Sequence, residues 1–168
     1  TASGVTFVNE GLIGGSGTCN IGIPFTHTGI IDPGTNGIGI LTLNGAQPLN
    51  ANCALNIQML NGSGPGTGHD QLLRNSNCTL GGTLNVTFTG SVPDGTYTIL
   101  DCAPHAVSGT FATVNLPPGC TLVINPTNCQ IVKNTQNCVP NAGSWSTTAC
   151  DSLVWNGTTY TTSGQYQQ

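Results

Sequence analysis

Glycine or proline interrupts every stretch of this chain long enough to form a helix, and no window sustains apolar residues at helical spacing. With 24 glycines and 10 prolines spread through 168 residues, short extended segments are the regular structure left open. They recur at VTFV (5–8), CNIGI (19–23), GILTL (39–43), ALNIQML (54–60), QLL (71–73), TLNVTF (83–88), TYTIL (96–100), GTFATV (109–114), TLVI (121–124) and QIV (130–132). Several alternate apolar and polar residues, so that Leu55, Ile57 and Met59 share one face, as do Leu84, Val86 and Phe88. Turn clusters separate them: DPGTNG (32–37), NGSGPGTG (61–68) and VPDG (92–95). The spacing predicts an all-β chain.

Two all-β architectures suit strands that recur with no helix between them. One is an antiparallel β-sandwich; the other is a parallel β-solenoid with two or three short strands per turn of the chain. The polar residues bear on the choice. Only 5% of residues are charged, while Gly, Asn and Thr fill the corners. Like charges on neighbouring strands repel, whereas amides and hydroxyls can bond in ladders. Strand spacing by itself leaves both architectures open.

The same scarcity of charge excludes functions. Arg74 and Lys133 are the only basic residues, and the net charge is -4. Nucleic-acid binding needs a basic stripe to displace phosphate counterions, and binding to an anionic membrane surface needs a polybasic patch. Neither is present. No apolar run of about 18 residues can span a bilayer, and no signal peptide opens the chain. The sequence is expected to be a segment of a longer exported protein.

Eight cysteines, Cys19, Cys53, Cys78, Cys102, Cys120, Cys129, Cys138 and Cys150, show neither CxxC spacing nor a histidine at zinc-ligand spacing. Their even number in an acidic, Thr- and Asn-rich chain predicts disulfides formed outside the cytoplasm. Cys138–Cys150 and Cys102–Cys120 are the preferred local pairs, and buried free thiols are the alternative.

From about Gly39 to Val132 the order of features resembles the terminal coils of bacterial surface β-helix proteins. The residues that carry this resemblance are GILTLNG (39–45), ALNIQML (54–60), HDQLL (69–73), LGGTLNVTF (80–88), GTYTIL (95–100) and GTFATVNLPPG (109–119). The resemblance implies a right-handed parallel β-helix on a large secreted or outer-membrane-anchored protein. Many relatives contain few cysteines, and here this chain departs from them. Further on, TTACDSLVWNGTTYTTSGQY (147–166) resembles the CDSxxWNGxxYxxSGxY repeat of very long Bacteroidota cell-surface proteins, many of them adhesins or gliding-associated. Only the first half of that repeat is present. Together the resemblances imply a β-solenoid domain over 1–132, then a linker and the start of a Cys/Trp/Tyr repeat module over 133–168. They also imply export by type IX secretion.

Chemistry is sparse. His69 and Asp70 form the most catalytic-looking dipeptide, with His27, His105 and Asp101 as conceivable partners. However, adjacent strand residues point to opposite faces, and Asp70 occupies the structural position of the DQL element. Polysaccharide cleavage needs a base or paired carboxylates and usually cations, which two basic residues scarcely supply. Glu10, Asp32, Asp94 and Asp101 sit mostly beside Gly, Pro or Asn, as turn residues do, too scattered for a calcium cage. No enzyme activity, cofactor or metal is expected. Trp145, Trp155, Tyr160 and Tyr166 gather near the end of the chain, either as sugar-stacking aromatics or as the small core of the repeat module. Asp151-Ser152-Leu153 fits the short Bacteroidota O-glycosylation pattern at Ser152, while Asn61, Asn85 and Asn156 head N-x-S/T sequences.

The expected function is therefore a structural stalk or cap of an adhesin-type surface protein. A glycan-binding module and a polymerising filament subunit are the alternatives. Its partners would be other copies or neighbouring modules, secretion machinery or surface glycans.

Overall fold

A computed structural model describes residues 7–20, 25–45, 49, 52–135, 152–155 and 157–162. The described residues are strand and turn, without helix, and none of them forms an apolar helix long enough to cross a membrane. By internal contacts the chain divides into Thr1–Asn137 and Cys138–Gln168.

In the first unit the strands fall into three columns, which the chain visits in rotation. The first column contains β1 (Phe7–Asn9), β4 (Phe25–His27), β9 (Cys78–Leu80) and β12 (Val107–Gly109), paired as β1–β4 and β9–β12. Between these pairs, the Leu49 amide donates to the Thr79 carbonyl at 2.9 Å, so the chain there also runs beside β9. The second column is a five-stranded sheet of β2 (Leu12–Gly15), β5 (Ile30–Pro33), β7 (Ala54–Met59), β10 (Thr83–Phe88) and β13 (Thr113–Asn115). The third contains β3 (Gly17–Asn20), β6 (Ile40–Asn44), β8 (Gln71–Arg74) and β11 (Gly95–Asp101), followed by β15 (Asn128–Lys133) and β14 (Cys120–Ile124).

Neighbours within the columns are parallel until the hairpin: β15 runs antiparallel to β11, and β14 antiparallel to β15. Parallel neighbours cannot be joined by a tight turn. Here the connection between them is not a helix but a passage of the chain through each of the other columns. An antiparallel sandwich does not describe these pairings.

Register explains the core. Leu84 lies opposite Leu55 on one side and Val114 on the other, and Val86 lies opposite Ile57. Each inward residue thus packs on an equivalent residue of the next strand. Leu41, Leu43, Leu55, Ile57, Met59, Leu72, Leu84, Val86, Ile99, Leu100, Phe111 and Ile131 are buried together. Val114 continues that row by pattern, yet it is 40% exposed. Its strand, β13, ends the sheet, so no further strand covers it. Two other boundaries differ from the spacing. GTFATV is two strands rather than one, because Gly109 adopts φ +74° and ends β12. Asp32 belongs to β5 rather than to a turn, and the turn begins at Gly34.

The second unit contains β16 (Leu153–Trp155) antiparallel to β17 (Thr158–Tyr160), with Trp155 opposite Thr158 and Gly157 at φ +78° in the tight connection.

Candidate functional site

The polar side chains of the first unit mostly bind one strand to the next. Apolar–Asn–apolar triplets recur as LNI (55–57), LNV (84–86) and VNL (114–116), and register stacks their asparagines. Asn115 Nδ2 donates to Asn85 Oδ1 at 2.8 Å, and Asn85 Nδ2 donates to Asn56 Oδ1 at 2.9 Å. A second ladder occupies the third column, where Asn75 Nδ2 donates to Asn44 Oδ1 at 2.7 Å and Asn44 donates in turn to Asn20. An amide carries both a donor and an acceptor, so each rung can be satisfied from above and below. A carboxylate or ammonium at the same position would meet its own charge along the column. This accounts physically for the near absence of charge.

Asp70 and His69 are buried and serve different neighbours. Asp70, with 0% exposure, accepts the Gly39 amide at Oδ1 and the Gln58 amide at Oδ2, both at 2.8 Å. It therefore ties the start of β6 to β7. Gly34 and Gly39 lie so close to each other and to this carboxylate that a Cβ at either would collide. Burial raises the Asp70 pKa to about 6 against the opposing pull of the two amides, with a further push from Asp32. His69 Nε2 lies 3.2 Å from the Thr98 carbonyl, and its ring meets Tyr97 edge-on at 5.4 Å. His27 Nδ1 lies 3.0 Å from the Asn9 carbonyl. Burial lowers the pKa of both histidines. Asp101 accepts the Ala103 amide in a turn. No three His, Cys, Asp or Glu side chains among the described residues are grouped to hold a metal. Asp70, His69 and His27 thus bond from one strand to another, while Asp101 bonds within its own turn.

Arg74, which the sequence offered only as one of two cations, is 1% exposed. Its guanidinium donates to the Gly45 carbonyl at 3.0 Å, and the Ser76 hydroxyl shares that acceptor. Nothing in local sequence marks it as buried, because its environment is built by strands distant in the chain.

Four cysteines are buried: Cys53 before β7, Cys78 opening β9 and Cys102 after β11, which all feel the Arg74 charge, and Cys129 in β15. All four have free thiols, as do Cys19 and Cys120. Desolvation pushes the Cys53 thiol up to about 11 and Cys129 up to about 12. The expected Cys102–Cys120 bridge is excluded by register. Cys120 lies opposite Lys133, whereas Asp101, the neighbour of Cys102, lies opposite Asn128 at the other end of β15. That separation is about 16 Å at the usual rise per residue, against about 7 Å allowed between bridged Cα atoms. Cys138 and Cys150 lie outside the described residues.

The last strands are tied down by Asp94. It accepts Lys133 Nζ at 3.2 Å and both the amide and the hydroxyl of Thr135. Thr135's hydroxyl is the main cause of its lowered pKa. Lys133 also lies 6.0 Å over the Phe88 ring.

Among the candidate glycan contacts, Tyr160 is half-buried on β17, Trp155 is described by its backbone on β16, and Trp145 and Tyr166 lie outside the described residues. Ser152 is exposed directly before β16. No protein-family model matches the chain, and no curated protein matches it in sequence.

Proposed function

We propose that the first unit is a right-handed parallel β-solenoid that serves as the stalk or cap segment of a large secreted adhesin-type surface protein, without catalytic activity. The observation that carries this reading is the pair of asparagine ladders joining strands 24, 31, 29 and 30 residues apart in sequence. Their regular stacking suits a spacer, whose function lies in length and stiffness. The antiparallel hairpin β14–β15 suits a cap, since it interrupts parallel stacking where one more copy of the pattern would otherwise add. The titratable groups support the same reading, because Asp70, His69 and His27 are engaged in holding strands together. The resemblance to Bacteroidota surface repeats adds the proposal of an extracellular setting, type IX export and a role in adhesion or gliding.

The test is to assay the purified chain against a panel of polysaccharides and glycosides, with sedimentation velocity on the same sample. Expected are no turnover, no tight glycan binding and a monomer. Turnover of any substrate would overturn the non-enzymatic reading. Tight binding lost on Trp155→Ala would favour a glycan-binding module instead, and concentration-dependent fibres would favour a filament subunit.

A further inference from the structure

An asparagine followed by glycine readily loses its side-chain amide, because no Cβ shields the next backbone nitrogen from the asparagine Cγ. Three such pairs stand among the described residues: Asn36-Gly37, Asn44-Gly45 and Asn61-Gly62. Chemically they are equal, and the fold makes them unequal. Asn44 is the middle rung of its ladder, donating to Asn20 and accepting from Asn75 at 2.7 Å. Asn61 accepts the Ser63 amide at 2.8 Å, and Pro93 fills the space that a side chain at Gly62 would take. Asn36 is exposed on the turn between β5 and β6, and its side chain is hydrogen-bonded to none of the described residues. Gly37 is exposed as well, with open space where a Cβ would stand. The backbone at this turn is strained: Gly34, Thr35 and Asn36 run in succession at φ +85°, +35° and +67°, a region that a β-branched residue rarely adopts.

We propose that Asn36 is a self-modification site, where the folded chain converts this asparagine to aspartate and isoaspartate with water as the co-reactant. The Gly37 backbone nitrogen, on losing its proton to hydroxide, attacks Asn36 Cγ. A succinimide ring closes, and the side-chain nitrogen takes a proton from water and leaves as ammonia. A water molecule then opens the ring at either carbonyl, giving aspartate or isoaspartate. One water is consumed and one ammonia released, with no change of oxidation state. Ring closure requires Asn36 to leave its left-handed conformation. The strain at Thr35 and Asn36 makes that departure easy, and exposure leaves room for it. At Asn44 the same movement first breaks two ladder bonds, and at Asn61 it breaks the bond to Ser63. Isoaspartate lengthens the backbone by one methylene between Gly34 and Gly39, whose close approach brings the Gly39 amide to Asp70. The modified turn thus bears on the tie that holds β6 to β7.

The test incubates the full chain in mildly alkaline buffer, folded in one sample and unfolded in guanidinium chloride in another. Aliquots are digested with pepsin in acid, where the reaction is slow. Mass spectrometry with electron-transfer fragmentation then assigns each site and separates isoaspartate from aspartate. In the folded chain Asn36 should convert first, roughly tenfold ahead of Asn44 and Asn61, the factor that one or two net hydrogen bonds impose on a rate. In denaturant that lead should disappear, because each asparagine is then followed by an equally accessible glycine. Gly37→Ala fits the open space at this position and should remove the lead of Asn36 in the folded chain. Should that variant fail to fold, the comparison of folded and unfolded samples decides alone. Conversion of Asn44 or Asn61 as fast as Asn36 in the folded chain, or an equal lead of Asn36 in denaturant, would overturn the proposal.

Discussion

Replacing Asn85 by alanine tests whether the amide ladder is a stabilising element or an ornament of register. Asn85 is the middle rung: it donates to Asn56 at 2.9 Å and accepts from Asn115 at 2.8 Å. A typical intramolecular hydrogen bond contributes about 0.5–1.5 kcal/mol net, so losing two costs about 1–3 kcal/mol. The bond to Asn56 is partly buried and the bond to Asn115 exposed. Water therefore replaces the second more readily, which places the expected loss near 1.5 kcal/mol. Asn115→Ala removes the exposed bond only and should cost about 0.5 kcal/mol. Asn85→Asp should cost more than Asn85→Ala, because a carboxylate has no proton to give Asn56 and its charge has no partner in the column. The assay is urea unfolding followed by circular dichroism, with a double-mutant cycle on Asn56 and Asn85 to isolate their bond. The losses should change little with added salt, since the partners are neutral. Equal losses at Asn85 and Asn115, or no coupling between Asn56 and Asn85, would refute the ladder's role.

The core makes a sharper contrast: Leu84→Ala should cost about 3–5 kcal/mol, because strands on both sides keep the cavity from collapsing, whereas Val114→Ala on the edge strand should cost under about 0.5 kcal/mol; denaturant midpoints check both. Burial raises the Asp70 pKa to about 6, so between about pH 4 and 6 the folded chain holds the extra proton and Asp70 lowers stability as pH rises. Subtracting the pH profile of Asp70→Asn from that of the unaltered chain should expose this slope, and a difference rising with pH would refute it. His27 and His69, with lowered values, act in the opposite sense: they remove stability as pH falls below about 6.5. His69→Gln should flatten that acid limb in the same measurement. Asp94, with its lowered value, favours the fold above its unfolded pKa of about 3.9 and loses that contribution as pH falls. Asp94→Asn should therefore speed hydrogen exchange across β14–β15 at neutral pH while leaving β7 and β10 unchanged.

Strand existence was legible wherever apolar and polar residues alternate over five or more positions. TLNVTF is β10 to the residue, and ALNIQML and TYTIL are β7 and β11 within a residue or two. Strands of three or four residues were legible only in part: VTFV and QLL overlap β1 and β8, whereas β2, β5 and β9 escaped notice, because periodicity needs more repeats than they contain. The ladder asparagines had a visible signal in the triplets LNI, LNV and VNL, whose common spacing matches the distance between layers. The burial of Arg74 had none.

The sequence by itself determined an all-β chain stabilised by hydrogen-bonding amides rather than charge, since Gly, Pro and alternation exclude helices and two cations cannot support ion-pair networks. It also marked the shared faces of Leu55, Ile57 and Met59 and of Leu84 and Val86, which are buried, because a side chain's face follows from its parity along a strand. Tertiary structure alone decided which strands are neighbours and in which direction, hence which polar groups meet. A parallel pairing joins residues 18 to 31 positions apart, and no pattern within a single strand encodes that distance. For the same reason Asp70 became a buried tie between β6 and β7, and Val114 an exposed edge.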